Sequence, residues 1–193
     1  MRIIKSIFCS RSKIWVRFLL AGFLLCLSCT REISRDIKAV EDLIIQGNYD
    51  LARQRCEELL AETPDDPSAH LFLGEIILYT SGLSRFRLQV LNFLLRYGRW
   101  KEYAKAKLKE IDYAGVKKDE LKQGIFHLEK VLQINPEFHR GFRDKYHVYR
   151  NLGWAYLAIK ETDKAREKFE ILKRTGDPEA EDILDIFFKL TEG

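Results

Sequence analysis

An all-α fold of stacked helix pairs is what this sequence predicts, and three observations carry the prediction. Beyond position 31, apolar residues recur at three- and four-residue spacing with no alternating, strand-like run. Small residues, large apolar residues and prolines return in the same order in several separate segments. The last of these segments is followed by an apolar stretch, 180–190, of the kind that closes an open-ended helical stack. Composition agrees. Of 193 residues, 46% are apolar and 32% charged, which argues against disorder, and only four prolines leave room for long helices.

The chain opens with a targeting segment. Arg2, Lys5, Arg11, Lys13 and Arg17 make residues 1–17 basic, and a ten-residue apolar run follows over 18–27. A charged region, a short apolar region and a small residue, Ser28, together predict a secretory signal peptide over 1–28. The run is short against the roughly 20 apolar residues a membrane span needs, although extending it back to Ile14 and Val16 keeps an uncleaved anchor in view. Cys29 directly after Ser28 resembles the lipobox of bacterial lipoproteins, with Cys26 standing where a leucine is usual. That resemblance implies lipidation at Cys29 and a membrane-anchored lipoprotein facing the periplasm, with simple cleavage as the other outcome. Thr30, in place of an aspartate, points to the outer membrane over the inner.

The leader also explains the charge. The net charge is +4, but five of the 33 basic residues lie in 1–28, leaving 28 against 29 acidic ones. A nucleic-acid partner is therefore not expected, because phosphate neutralisation needs the basic surplus on the folded domain. Cys9 and Cys26 fall in the leader, so a lipidated Cys29 would leave Cys56 without a partner, to be buried as a small apolar side chain.

Next come the repeated segments. Tyr149, Leu152, Gly153 and Tyr156 are followed by Ala165 and Phe169, with Pro178 beyond. Gly47, Tyr49, Ala52 and Cys56, ending at Pro64, read as a turn and a second helix. His70, Leu73, Gly74 and Ile77 read as a first helix, and Gly124 and Leu128, ending at Pro136, as another second helix. These spacings resemble the tetratricopeptide repeat, a helix–turn–helix unit of about 34 residues. Tyr149 replaces the usual tryptophan, and Pro178 falls one place late. The resemblance covers 33–179. It implies an α-solenoid of three to four irregular helix pairs, at about 33–66, 67–98, 99–136 and 146–179, with a capping helix over 178–190.

Each position has a physical task. Gly74, Ala52, Gly153 and Ala165 belong where two helices of a pair approach closely, and Leu73, Leu152, Tyr156 and Phe169 fill the space between neighbouring pairs. Pro64 and Pro136 stop one helix before the next. These two prolines stand 72 residues apart, two repeat periods plus four. Two registers follow: a long insertion over about 81–119 that splits a repeat, or a degenerate helix pair there. Expected helices at 84–97 and 99–113, the second with Trp100, Tyr103, Ala104, Leu108 and Ile111 on one face, favour four pairs.

The 81–119 stretch holds ten basic residues against four acidic ones. Repeat core with a solvated lysine face accounts for it, and a basic amphipathic element on anionic lipid is the competing account. No phosphate-cradling glycine loop, zinc spacing or nucleophile elbow is present, so neither an enzyme nor a cofactor is implied. Of the histidines, His70 takes a tryptophan position and is expected to pack, while His139 and His147 would share a face if one helix held both.

What the resemblance implies for function is a concave groove, lined by first helices, that holds a protein or peptide. Its groove positions map onto Glu41, Ile45, Leu71, Glu75, Tyr79, Arg150 and Trp154, with Tyr79 and Trp154 as anchors. The expected partner belongs to a cell-envelope complex, and the alternative is an accessory ligand-binding component of a solute transport system.

Overall fold

A computed structural model describes residues 36–97, 111, 113 and 115–191. The signal peptide expected over 1–28, Cys29 and most of the helix expected at 99–113 lie outside the described residues. Within them the fold is an α-solenoid. Helix α1 covers 36–45, followed by α2 (Tyr49–Glu62), α3 (Pro67–Thr80), α4 (Leu83–Tyr97) and α5 (Lys118–Ile134). A two-stranded antiparallel hairpin, β1 (His139–Arg140) and β2 (Arg143–Asp144), leads into α6 (Lys145–Ala158) and α7 (Thr162–Lys173). The closing segment, α8, starts as Pro178–Asp182, passes through a π-helical stretch over Ile183–Phe188 and ends in Lys189–Thr191.

Local sequence sets the helix ends. Asp66 caps α3, its Oδ1 accepting from the N–H groups of Ser68 at 2.7 Å and Ala69 at 3.1 Å, with Pro67 at the first helical position, where its missing N–H costs nothing. Asp144 caps α6 and Asp177 caps α8 in the same way, with Pro178 opening α8. α2 ends at Glu62 before Pro64, and α5 ends at Ile134 before Pro136. Gly47 terminates α1 at φ +77°, a left-handed conformation in which a β-carbon is strained.

Helix pairing distinguishes the two registers. α1 and α2 pair with each other, as do α6 and α7. The chief partner of α3 is α5, not α4. The two meet at glycines: a β-carbon on Gly74 would lie 3.2 Å from the carbonyl oxygen of Gly124, and one on Gly124 would lie 3.3 Å from that of Gly74. A repeat over 67–98, which would pair α3 with α4, is therefore not the unit that forms. The first-helix signature of α3 and the second-helix signature of α5 complete one pair across an insertion, making three pairs and a cap among the described residues. A third close approach is at Gly153, where a β-carbon would sit 3.1 Å from the Phe169 ring.

The core has two parts. Ile37, Val40, Ala52, Cys56, Phe72 and Ile76 form the smaller one, between α1, α2 and α3. Burial lifts the Cys56 thiol to about 12, as befits a core residue with no reactive role. The larger cluster runs from Leu71 through α4, α5, α6 and α7 to Phe188 and Leu190 in α8. Tyr156 spans two pairs, with its hydroxyl donating to Glu129 of α5. His70 is packed as expected: one ring nitrogen bonds the Pro64 carbonyl at 2.9 Å, and Nδ1 faces Nδ1 of His127 on α5 at 2.9 Å.

Candidate binding groove

The first helices of the three pairs, α1, α3 and α6, line one cavity through Ile44, Glu75 and Trp154, and Glu41, Glu75 and Trp154 occupy equivalent places in their repeats. Two further elements border this cavity. The hairpin reaches α1 and α3 through its arginines, and α4 lies against α3, α6 and α8. Between them the cavity, of about 250 Å³, remains open.

The polar floor of the cavity is paired within the chain. Arg143 on β2 donates from Nε to Glu75 at 3.1 Å and lies 3.6 Å from Glu41. Its guanidinium also stacks between the rings of Phe72, at 4.8 Å, and Phe142, at 4.4 Å. Glu75 accepts a second bond from His147 Nε2 at 2.6 Å, and Asn151 lies 3.1 Å from the same nitrogen. One carboxylate thus ties an arginine of the hairpin to a histidine of α6, which fixes the hairpin against two first helices. Toward α8, Glu179 accepts from the Trp154 indole N–H at 2.6 Å and from Arg87 of α4 at 2.6 Å.

The rim is aromatic and open. Tyr79 is 53% exposed and packs its ring on Tyr49 at 4.7 Å, and a hydrogen bond between the two raises the Tyr49 phenol. Phe142, at the hairpin tip, is 78% exposed. Both line the cavity, together with Ile44, Ile76 and Leu83.

Of the residues placed in the groove from sequence, Glu75, Tyr79 and Trp154 line the cavity. Glu41 stands beside it, held by the hairpin arginines. The other three are corrections. Ile45 is 82% exposed but faces away from the cavity, which its neighbour Ile44 lines instead. Leu71 is fully buried in the larger core cluster. Arg150 is bonded to Asp177 at the start of α8. Burial pulls the Asp177 carboxyl upward, but bonds from Arg150 and the backbone of Ala180 outweigh it and leave the group below its ordinary value. Trp154 is only 1% exposed, so it forms a wall and cannot reach a partner as an anchor.

His139 and His147 do not share a helix, since the first lies on β1 and the second on α6. Among the described residues no cluster of three metal-ligating side chains occurs. Phe142 and Arg143 were not legible as groove residues. The six residues of the hairpin show no apolar alternation, so nothing in the sequence marks them as strands.

No family model matches the chain, and no curated protein matches it. Among solved structures it is similar to the crystal structure of MamA protein, at 20% identity over 71% of this chain and 69% of that one, with a TM-score of 0.27. It is also similar to TTC0263, a thermophilic TPR protein in Thermus thermophilus, at 21% identity over 71% of each chain and a TM-score of 0.27. MamA 41-end from Desulfovibrio magneticus RS-1 matches at 18% identity over 80% of this chain and 90% of that one, with a TM-score of 0.25. Superpositions this loose carry no weight, and the α-solenoid rests on the helix pairing described above.

Proposed function

We propose that this protein is an adaptor, exported and lipid-anchored at Cys29, that holds a protein or peptide partner in its concave groove within a cell-envelope complex. One observation carries the groove reading. Glu75, Arg143 and His147 satisfy one another, so what the cavity still offers is the exposed aromatic rim of Tyr79 and Phe142. An apolar rim around internally paired charges suits an apolar partner segment, and aromatic side chains dominate such contacts. The export reading is supported by the basic leader and by Cys29 directly after Ser28, which would place the protein in the periplasm, with Thr30 favouring the outer membrane. Binding, not catalysis, is the proposed role.

The paired polar floor is also what an accessory protein of solute transport would use to hold a small polar ligand. It ranks second, because a ligand would have to break bonds of 2.6 and 3.1 Å already made within the chain. Crosslinking and affinity purification from native membranes, comparing the parent with Tyr79→Ala/Phe142→Ala, tests the first reading. A protein captured by the parent and lost from the folded variant is the expected result. The same catch from both would move the partner off this groove, and no protein catch from either would favour the transport reading.

A further inference from the structure

Among the described residues, α4 lies against α3, α6 and α8 beside the cavity. Its buried residues Phe86, Val90, Phe93 and Leu94 fall at positions i, i+4, i+7 and i+8, one apolar face of an amphipathic helix, and all four belong to the larger core cluster. Phe86 meets Trp154 edge-on at 6.5 Å, and Arg87 lies over the same indole at 5.6 Å while bonding Glu179 at 2.6 Å. Leu88 and Leu95 are exposed on its other side.

The insertion that carries α4 starts and ends at one point. Lys117 donates its backbone N–H to the Ser81 carbonyl at 3.1 Å, and the Gly115 carbonyl oxygen would lie 2.6 Å from a β-carbon on Gly82, which sits at φ +90°. The α3–α5 pair closes directly across Gly74 and Gly124. α4 is thus attached to the solenoid as a tethered guest. Leu83 and Arg87 of α4 also line the open cavity, so a partner segment anchored at Tyr79 and Phe142 runs directly into it.

We propose that α4 is an internal ligand of the concave face, which an amphipathic helix of a partner protein replaces. That helix would carry an aromatic residue, an arginine immediately after it, and apolar residues four, seven and eight places beyond the aromatic. The inference rests on the groove reading above and names the class of partner for it. Intramolecular attachment gives α4 a high effective concentration, so release requires either a tight partner or a weakened clasp.

Hydrogen exchange read by mass spectrometry on the full chain tests the guest behaviour, with Arg87→Ala as the variant. The expected result is that α4 amides exchange while α3 and α5 stay protected, and that the variant speeds α4 exchange roughly tenfold without touching α3 or α5. In parallel, a fluorescein-labelled peptide of residues 83–97 is titrated into both chains. It should bind the variant more tightly than the parent, and a peptide with alanine at the Phe86 and Arg87 positions should bind neither. Exchange of α4 in step with α3 and α5, or equal peptide affinity for the two chains, would overturn the proposal. The groove reading fails separately, through partner capture that is unchanged by Tyr79→Ala/Phe142→Ala.

Discussion

Gly124→Ala is the most direct test of the helix pairing. A methyl at this position would lie 2.7 Å from Leu78 Cδ2, 3.0 Å from Leu78 Cγ and 3.3 Å from the carbonyl oxygen of Gly74. Comfortable contacts between carbons lie near 3.5–4.0 Å, so α3 and α5 must separate or Leu78 must leave its rotamer. Leu78 is buried, and its neighbours in the larger core cluster restrict that movement. Overpacking of this kind costs about 1–3 kcal/mol, while alanine in place of glycine returns about 1 kcal/mol of helix propensity. The net expectation is a loss of up to about 2 kcal/mol, or as much as roughly 8 °C in Tm for a domain of this size. Thermal and urea melts followed by circular dichroism read it. Leu78→Ala should cost less in the Gly124→Ala background than alone, because the clash is then relieved. A Gly124→Ala chain that is more stable by about 1 kcal/mol, as propensity alone demands, would show that α3 and α5 do not meet at their glycines.

Three other outcomes follow from single residues. Burial, then the facing His70, lowers His127 to about 4, so the folded state keeps it neutral where the unfolded chain would protonate it near 6.5. Stability from this group is complete above pH 6.5 and falls as pH drops toward 4, by roughly 1 kcal/mol at pH 5 after allowance for partial solvent exposure. Urea midpoints at pH 7.5 and 5 should converge for His127→Phe, and an unchanged slope in that variant would sink the assignment. Cys56, with its thiol lifted to about 12, should resist alkylation at pH 8 in the native chain and react once unfolded, as peptide mass spectrometry would show. Native labelling at the rate of a free thiol would mean that α2 is not packed as described. Asp177→Ala removes both the α8 cap and the partner of Arg150, and should cost about 2–3 kcal/mol in urea melts. Asp177→Asn keeps the capping oxygen and should cost clearly less; equal losses would make the cap irrelevant.

Much of the solenoid was readable in the sequence. Gly74 and Gly153 at close helix approaches, the helix stops before Pro64 and Pro136, and Cys56 in the core all follow from residues within one repeat signature or at one helix end. The sequence also held the clue to the split repeat. α3 carries a first-helix signature with no second helix directly after it, and α5 a second-helix signature with no first helix directly before it. The 72-residue spacing of Pro64 and Pro136, two periods plus four, left both registers open, because an inserted segment with its own helical periodicity mimics a repeat.

The groove was legible only in part. Periodicity determines which face of a helix is apolar, and the resemblance to the repeat implied that Glu75, Tyr79 and Trp154 lie on one side of the first helices. It carries no information on what covers that side. Leu71 and Trp154 are withdrawn from solvent into the larger core cluster, and at Trp154 the covering groups are Phe86 and Arg87 of α4. Arg143 enters the groove because a hairpin far along the chain lies against Glu41 and Glu75. By itself the sequence determined the helices, their ends and the small residues at close approach, all of which depend on neighbours within a few dozen residues. Only the tertiary structure decided that α3 joins α5, that α4 lies on the concave face and that the hairpin closes the cavity, because long-range packing selects among several surfaces of equal apolar character.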